Sequence, residues 1–347
     1  MMKRILFALV MLMVQTVAVM RLAAAEAPGD AVIKPGIPPT ISQQARRYYE
    51  QVYAQPRRSA GDIQDPEHLA FVRDLLDKIF LKQAREIRTD YTLEKVTPEG
   101  VPSIWISTPG MTRGGKVILY LHGGGYILGS AEANLANALR IGPAAGIKVL
   151  SVDYRLAPEH PFPAGLEDAR TVYHWLLAHG FASKDIVVYG DSSGGGLALA
   201  LGLSLKQNGE PLPAAIAAIS PVTDLLRQGD TNETLKWVDP STRGADPETG
   251  HDVLYAGDHD RHDPLISPVF GDYAGYPPLL LQVGTRDVLL SDSIRLARKA
   301  RSDGADVTLD IWEGMWHVWH DHPDVPEAQQ ASEAVAAFFL DHLGGEE

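Results

Sequence analysis

Ile186-Val187-Val188-Tyr189-Gly190-Asp191-Ser192-Ser193-Gly194-Gly195 is the stretch on which the reading of this chain turns. Four apolar residues rich in β-branched types run into a Gly-x-Ser-x-Gly pentapeptide, and a run of helical composition, 195–206, follows. The pattern predicts a strand, a sharp turn and a helix, the context in which a serine is lifted to the apex of a nucleophile elbow. Gly190 and Gly194 let the backbone turn without a Cβ clash. Taken alone the pentapeptide is weak, because glycine and serine are common residues and a helix N-cap serine looks the same. The other parts along the chain, and their order, carry the reading.

Outward from this stretch, strand and helix patterns alternate. Strands are expected at 116–121, 148–152, 186–189, 214–219, 279–283 and 307–312, with helices at 131–144, 165–177, 291–301 and 326–343. Such alternation implies an α/β fold: a mostly parallel sheet with helices on both faces. Two further strands, 91–96 and 101–107, joined by Thr97-Pro98-Glu99-Gly100, form an antiparallel hairpin at its edge. Helical spacing recurs at 41–53 and 66–85. The segment 41–90 and the loop-rich stretch 231–263 fall outside the rhythm, and such excursions usually form lids or binding walls.

The first residues read as an export signal. Lys3-Arg4 precede a nearly unbroken apolar segment, 5–20, and Ala23-Ala24-Ala25 offers a cleavage site. The apolar run is short for a membrane span, although Arg21 keeps an uncleaved anchor open as the competing reading. The expected organisation is a signal peptide at 1–25, a leader and helical cap at 26–90, and a catalytic domain at 91–347 with 231–263 inserted in it. The mature product would be periplasmic or secreted, without stable membrane insertion. The 347-residue chain carries a net charge of −13, and removing residues 1–25 deletes three cations and no acid, giving −16. An acidic chain without a basic stripe makes nucleic acid an unfavourable partner. There is no cysteine. Disulfides, thiolate metal sites, a cysteine nucleophile and a lipid-bearing N-terminal cysteine are therefore excluded.

Acyl transfer by a serine needs an activated hydroxyl, an oriented base and donors for the developing oxyanion. Ser192 supplies the hydroxyl. His317 follows the last predicted strand in Trp312-Glu313-Gly314-Met315-Trp316-His317, and Asp287 follows the preceding one in Gly284-Thr285-Arg286-Asp287. Both therefore belong on loops at the carboxyl ends of strands, where open sheets present their sites. A carboxylate at Asp287 would hold the imidazole tautomer. The base must be neutral to act, so activity is expected to rise with pH near the ordinary histidine value of about 6.5. His122-Gly123-Gly124-Gly125 follows strand 116–121 and should present backbone N–H groups. Gly124 and Gly125 are the best donors, beside Gly123 and the N–H of Ser193 at the start of the next helix.

Competing assignments exist for each residue. Asp292 reads as a helix N-terminal charge and Asp224 as a turn acid. His320 and His322 lie beside His317, and His251, His259 and His262 sit among aspartates, yet no three of these are seen to converge as a metal site requires. No metal or cofactor is expected. Arg155, Glu159 and Asp168 read as buried support for the glycine loop. Tyr126, Trp316 and Trp319 flank site positions and read equally as pocket walls or as core.

Three blocks together, His122-Gly123-Gly124-Gly125, Asp153-Tyr154-Arg155-Leu156-Ala157-Pro158-Glu159-His160-Pro161-Phe162-Pro163-Ala164 and Gly190-Asp191-Ser192-Ser193-Gly194-Gly195, resemble the hormone-sensitive-lipase-like branch of the α/β-hydrolases, over roughly residues 85–345. The resemblance implies an α/β-hydrolase fold with an N-terminal helical cap, and cofactor-independent hydrolysis of short- to medium-chain carboxylic esters with water as acyl acceptor. The stretch Gly314-Met315-Trp316-His317-Val318-Trp319 is also similar to members that open lactones. Some relatives are silent receptors for small molecules, but those lose the histidine that is present here as His317. Both monomers and homodimers occur in the family. Ser193 is a departure, since many relatives carry alanine, and a second hydroxyl there is expected to retune the acyl pocket.

Overall fold

A computed structural model describes residues 35–55, 63–87, 89–242 and 250–344. The export segment expected at 1–25 and the first part of the leader lie outside the described residues. The chain enters through two helices, α1 (Gln43–Ala54) and α2 (Pro66–Glu86), then a hairpin of β1 (Thr92–Val96) and β2 (Ser103–Ser107). Next come β3 (Val117–Leu121), α3 (Leu135–Ala145), β4 (Lys148–Val152), α4 (Ala164–Ala178), β5 (Ile186–Asp191), α5 (Ser192–Gln207) and β6 (Ala215–Ile219). Among the described residues the loop-rich stretch contains two short helices, α6 (Thr231–Thr234) and α7 (His251–Ala256). After it come β7 (Leu279–Gly284), α8 (Leu290–Ser302), β8 (Val307–Trp312) and α9 (Pro326–His342).

The eight strands make one sheet in the order β1-β2-β4-β3-β5-β6-β7-β8. β1 and β2 pair antiparallel, β2 pairs antiparallel with β4, and every pairing from β4 to β8 is parallel. Parallel strands covered on both faces are buried along their whole length, which is why β3 and β6 read as unbroken apolar runs. Side chains alternate between the faces. Ile118 and Tyr120 join the layer with Leu139 of α3 and Phe339 of α9. Leu119 and Leu121 join the opposite layer with Leu176 of α4, Leu201 of α5 and Leu296 of α8.

The sequence expectation differs from the structure mainly at element ends. The helix after the elbow begins at Ser192 rather than Gly195, because the serine itself opens the first turn. The helix expected from 131 begins at Leu135. Residues before it form turns, with the N–H of Ala131 donating to Asp153 (3.1 Å).

The N-terminal helices are fastened to the sheet rather than standing apart. Ser42 caps α1 by accepting from the N–H of Ala45 (3.1 Å), and Asp65 caps α2 with Pro66 in its first turn. Ala45, Tyr49 and Tyr53 on one face of α1 pack into a cluster with Met315, Trp316 and Trp319. The Tyr49 hydroxyl donates to the carbonyl of Gly314 (2.8 Å). Arg73 of α2 donates to the carbonyls of Ile127 (2.7 Å) and Ala157 (2.8 Å) and pairs with Glu159 (2.7 Å).

Tyr49→Phe removes a buried donor and leaves the Gly314 carbonyl unpaired, at a cost of about 1–3 kcal/mol. Denaturant unfolding should show a lowered midpoint with an unchanged slope.

Candidate active site

The site forms at the carboxyl ends of β3, β5, β7 and β8. Leu121 of β3 pairs with Gly190 of β5, which lays the glycine loop beside the elbow. Here both flanking glycines are required by contact. A Cβ on Gly190 would meet the carbonyl oxygen of Gly194 at 2.2 Å, and one on Gly194 would meet those of Leu121 and His122 at 2.1 and 2.3 Å. Ser192 itself takes the left-handed conformation, φ 54°, which costs a non-glycine residue about 1–2 kcal/mol. The surrounding close packing holds it there and leaves its side chain at the floor of the cavity.

Asp287 and His317 come together through the pairing of β7 with β8, which reaches Gly284 opposite Trp312. The loops beyond continue to bond: Thr285 N–H to Trp312 (2.9 Å), Arg286 N–H to Met315 (2.9 Å) and Gly314 N–H to the Thr285 hydroxyl (2.7 Å). His317 Nε2 lies 2.9 Å from Ser192 Oγ, and its Nδ1 lies 3.2 Å from Asp287 Oδ1. Asp287 is fully buried and also accepts from the N–H of Leu289 (2.8 Å). The carboxylate therefore fixes the proton on Nδ1, and Nε2 is left to accept from the serine. Burial works against a charged His317. The carboxylates of Asp287, Asp239 and Asp191 outweigh it and raise the imidazole above its ordinary value.

Of the three loop glycines, Gly123 packs most tightly against the elbow. A Cβ there would lie 2.3 Å from Asp191 Oδ2 and 3.1 Å from the Asp191 carbonyl oxygen. Gly124 (φ 130°) and Gly125 (φ 62°) take conformations that favour glycine. Among the described residues no acceptor engages their N–H groups or that of Ser193. His122 is buried and stacked on Tyr154 (4.4 Å between ring centres), and its Nδ1 bonds the Gly123 carbonyl (2.8 Å). Burial pushes Asp191 up to about 6, and Tyr120 donates to it (2.6 Å).

The competing residues engage other partners, although His251 and His322 also line the cavity over Ser192. Asp224 accepts from Arg295 (2.5 Å) and from its own turn; Asp292 accepts the N–H groups of Thr223 (2.9 Å) and Asp224 (3.1 Å). His320 is buried against Gln282 (2.7 Å) and lowered to about 3 by that burial. His322, lowered to about 4 by burial, packs against Tyr48. His251 bonds Arg227, His259 packs on Phe162, and His262 bonds Asp260. Trp316 and Trp319 are core residues under α1, and Tyr126 is buried against Tyr255, so none of the three is a pocket wall. Asp168 is buried as expected, whereas Arg155 and Glu159 are exposed: Arg155 pairs with Asp168, and Glu159 pairs with Arg73. The Ser193 side chain is buried away from the cavity, contrary to its expected influence on the acyl pocket.

A cavity of about 550 Å³ opens over Ser192, within the range of small-molecule sites. Val72, Leu76 and Phe80 of α2 and Leu128 give it an apolar wall, and Arg227 and Asn232 give it a polar one. Sequence reasoning missed three residues that build this environment: Arg73, Arg227 and Asp239. All act through long-range contacts, and no local motif marks them.

A mostly parallel sheet whose fifth strand runs into a strained serine beside a glycine loop defines the α/β-hydrolase class, and residues 118–321 match a family model described as alpha/beta hydrolase fold. An acetyl-hydrolase of Streptomyces hygroscopicus is 40% identical over 232 residues, covering 67% of this chain and 77% of that protein. Among solved structures, an esterase/lipase from an uncultured bacterium superposes with a TM-score of 0.80 at 37% identity, covering 88% of this chain and 100% of that one. An esterase from the bacterial hormone-sensitive lipase family gives 0.77 at 37% identity, with 87% and 99% covered. The chain belongs to the hormone-sensitive-lipase-like α/β-hydrolases and is a carboxylic ester hydrolase.

Because the Ser193 hydroxyl is buried without a partner, Ser193→Ala should hold kcat/KM within about threefold and leave thermal stability unchanged or slightly higher. A large change in acyl-chain preference in this variant would return Ser193 to the pocket.

Proposed function

We propose that this enzyme hydrolyses esters of short to medium acyl chains through an acyl-enzyme on Ser192, with His317 as proton shuttle and Asp287 as its orienting acid. The single observation that carries the reading is the continuous chain Ser192 Oγ, His317 Nε2, His317 Nδ1, Asp287 Oδ1 at 2.9 and 3.2 Å. As Ser192 Oγ forms its bond to the ester carbonyl carbon, its proton passes to His317 Nε2. The carbonyl oxygen takes the negative charge toward the N–H groups of Gly124, Gly125 and Ser193. Collapse breaks the bond to the alcohol, which leaves with the proton from His317. Water then repeats the sequence on the acyl-enzyme, releasing the acid and restoring Ser192.

Two features support small substrates: the cavity volume of about 550 Å³, and the acetyl-hydrolase name of the Streptomyces relative. α1 and α2 serve as the cap in this reading, since α2 supplies an apolar cavity wall and α1 holds the loop bearing His317. The charged and apolar pattern of residues 1–25 supports export before the enzyme acts.

Turnover of p-nitrophenyl esters from acetyl to dodecanoyl, by the chain lacking residues 1–25, tests the reading. Hydrolysis should peak at short acyl chains, and Ser192→Ala should lower kcat by about 10⁴-fold or more. No turnover of any ester, with lactones opened instead, would replace it with a lactone hydrolase.

The raised ionisation of His317 sets the pH dependence. The base is protonated and idle on the acid side, so kcat/KM should rise with pH through an ionisation above histidine's ordinary value of about 6.5. A flat profile from pH 5 to 9, with chemistry rate-limiting, would remove His317 from the role of base.

A further inference from the structure

Asp239 is fully buried beside the site and has no part in the proton path described above. Its two oxygens gather four backbone N–H groups. Oδ2 accepts from Val288 (3.2 Å) and His317 (3.3 Å), and Oδ1 accepts from Ser241 (2.9 Å) and Thr242 (3.5 Å). Val288 is the residue after Asp287. One oxygen atom therefore joins the loop carrying the acid to the loop carrying the base.

The segment that delivers Asp239 is itself anchored at both ends. Upstream, the Thr231 hydroxyl donates to the Val288 carbonyl (2.8 Å) and accepts from the Ser291 N–H (2.9 Å). Close to Asp239, the Tyr53 hydroxyl of α1 donates to the Val238 carbonyl (2.5 Å). The N–H of Asp239 itself closes a turn onto Leu235 (3.0 Å). A carboxylate held this way cannot swing out to water.

Resting on the Ser192–His317–Asp287 reading, we propose that Asp239 is a positioning residue for this reaction. It straps the Asp287 and His317 loops at their working separation, and its charge adds to that of Asp287 in holding the imidazolium formed during attack.

The ionisable groups facing Asp239 are Asp287 and His317 from the two loops, and Tyr48 and Tyr49 from α1. Arg286, whose guanidinium lies 5.9 Å from the Tyr49 ring centre, is a cation on the Asp287 loop. Burial and the neighbouring Asp287 push Asp239 up to about 7, while His317 and the N–H donors favour its charged form. Asp239 and His317, held this close, influence each other's protonation.

The test is Asp239→Asn, assayed on a p-nitrophenyl ester for which the unaltered enzyme shows Ser192-dependent turnover. The amide presents N–H groups to backbone donors and carries no charge. We expect kcat to fall about 10- to 100-fold, the scale of a small misplacement of reacting groups. The rising limb of kcat/KM should move to lower pH, because the imidazolium loses a stabilising charge. A folded variant with kcat within about twofold and an unmoved limb overturns the proposal.

If the variant does not fold, the decision passes to proton NMR of the unaltered protein. The far-downfield signal of the His317 Nδ1 proton, followed from pH 4 to 9, should titrate in two coupled steps; a single step overturns the proposal. That signal is read without substrate, so its outcome is separate from the ester question. Absence of Ser192-dependent turnover in the unaltered enzyme would instead unseat the function proposed above.

Discussion

Gly194 lies against the carbonyl oxygens of Leu121 and His122, and any side chain at that position would occupy the same space. The contact closes the gap between the end of β3 and the first turn of α5. It brings the glycine loop and the elbow into one rigid unit, with the strained Ser192 between them. Strain of about 1–2 kcal/mol at a single residue is small against the burial of β3 and β5 on both faces, so the fold enforces it easily. The geometry around Ser192 is thus a by-product of backbone packing, and the glycine loop inherits its position from it.

The second half of the site depends on a different device. Asp287 and His317 stand on loops, and loops are intrinsically loose. The pairing of β7 with β8 sets their approximate separation, and side chains from distant parts of the chain then tie them down. Tyr49 holds Gly314 from α1, Ser220 accepts from the N–H of Val318 (3.2 Å), and Asp239 bonds the backbone of both loops. The N-terminal helices therefore shape the cavity and brace the machinery beneath it.

Electrostatically the site is rich in buried carboxylates around one imidazole. Asp287, Asp239 and Asp191 all favour the protonated ring, and together they outweigh its burial. The imidazole is therefore more basic than that of an isolated histidine. Asp191 doubles as a structural group, since Tyr120 of β3 donates to it and so ties that strand to the elbow.

Much of this was legible in the sequence. The alternation of apolar runs and helical patterns determined the class of sheet, because a parallel strand buried on both faces must be apolar throughout. The elbow pentapeptide, the glycine loop and the order of Ser192, Asp287 and His317 each rest on local backbone requirements that a sequence records directly. Other features had no local signature. That Ser193 faces inward, that Trp316 and Trp319 belong to the core under α1, and that Arg155 and Glu159 lie at the surface follow from contacts between distant segments. Asp239 is the clearest case, one aspartate in a loop-rich stretch, 48 residues from Asp287 and 78 from His317 by its position in the chain. A sequence determines which backbone conformations are cheap; only packing in three dimensions decides which buried polar groups meet, because each such group takes whatever partner the fold brings within hydrogen-bonding reach.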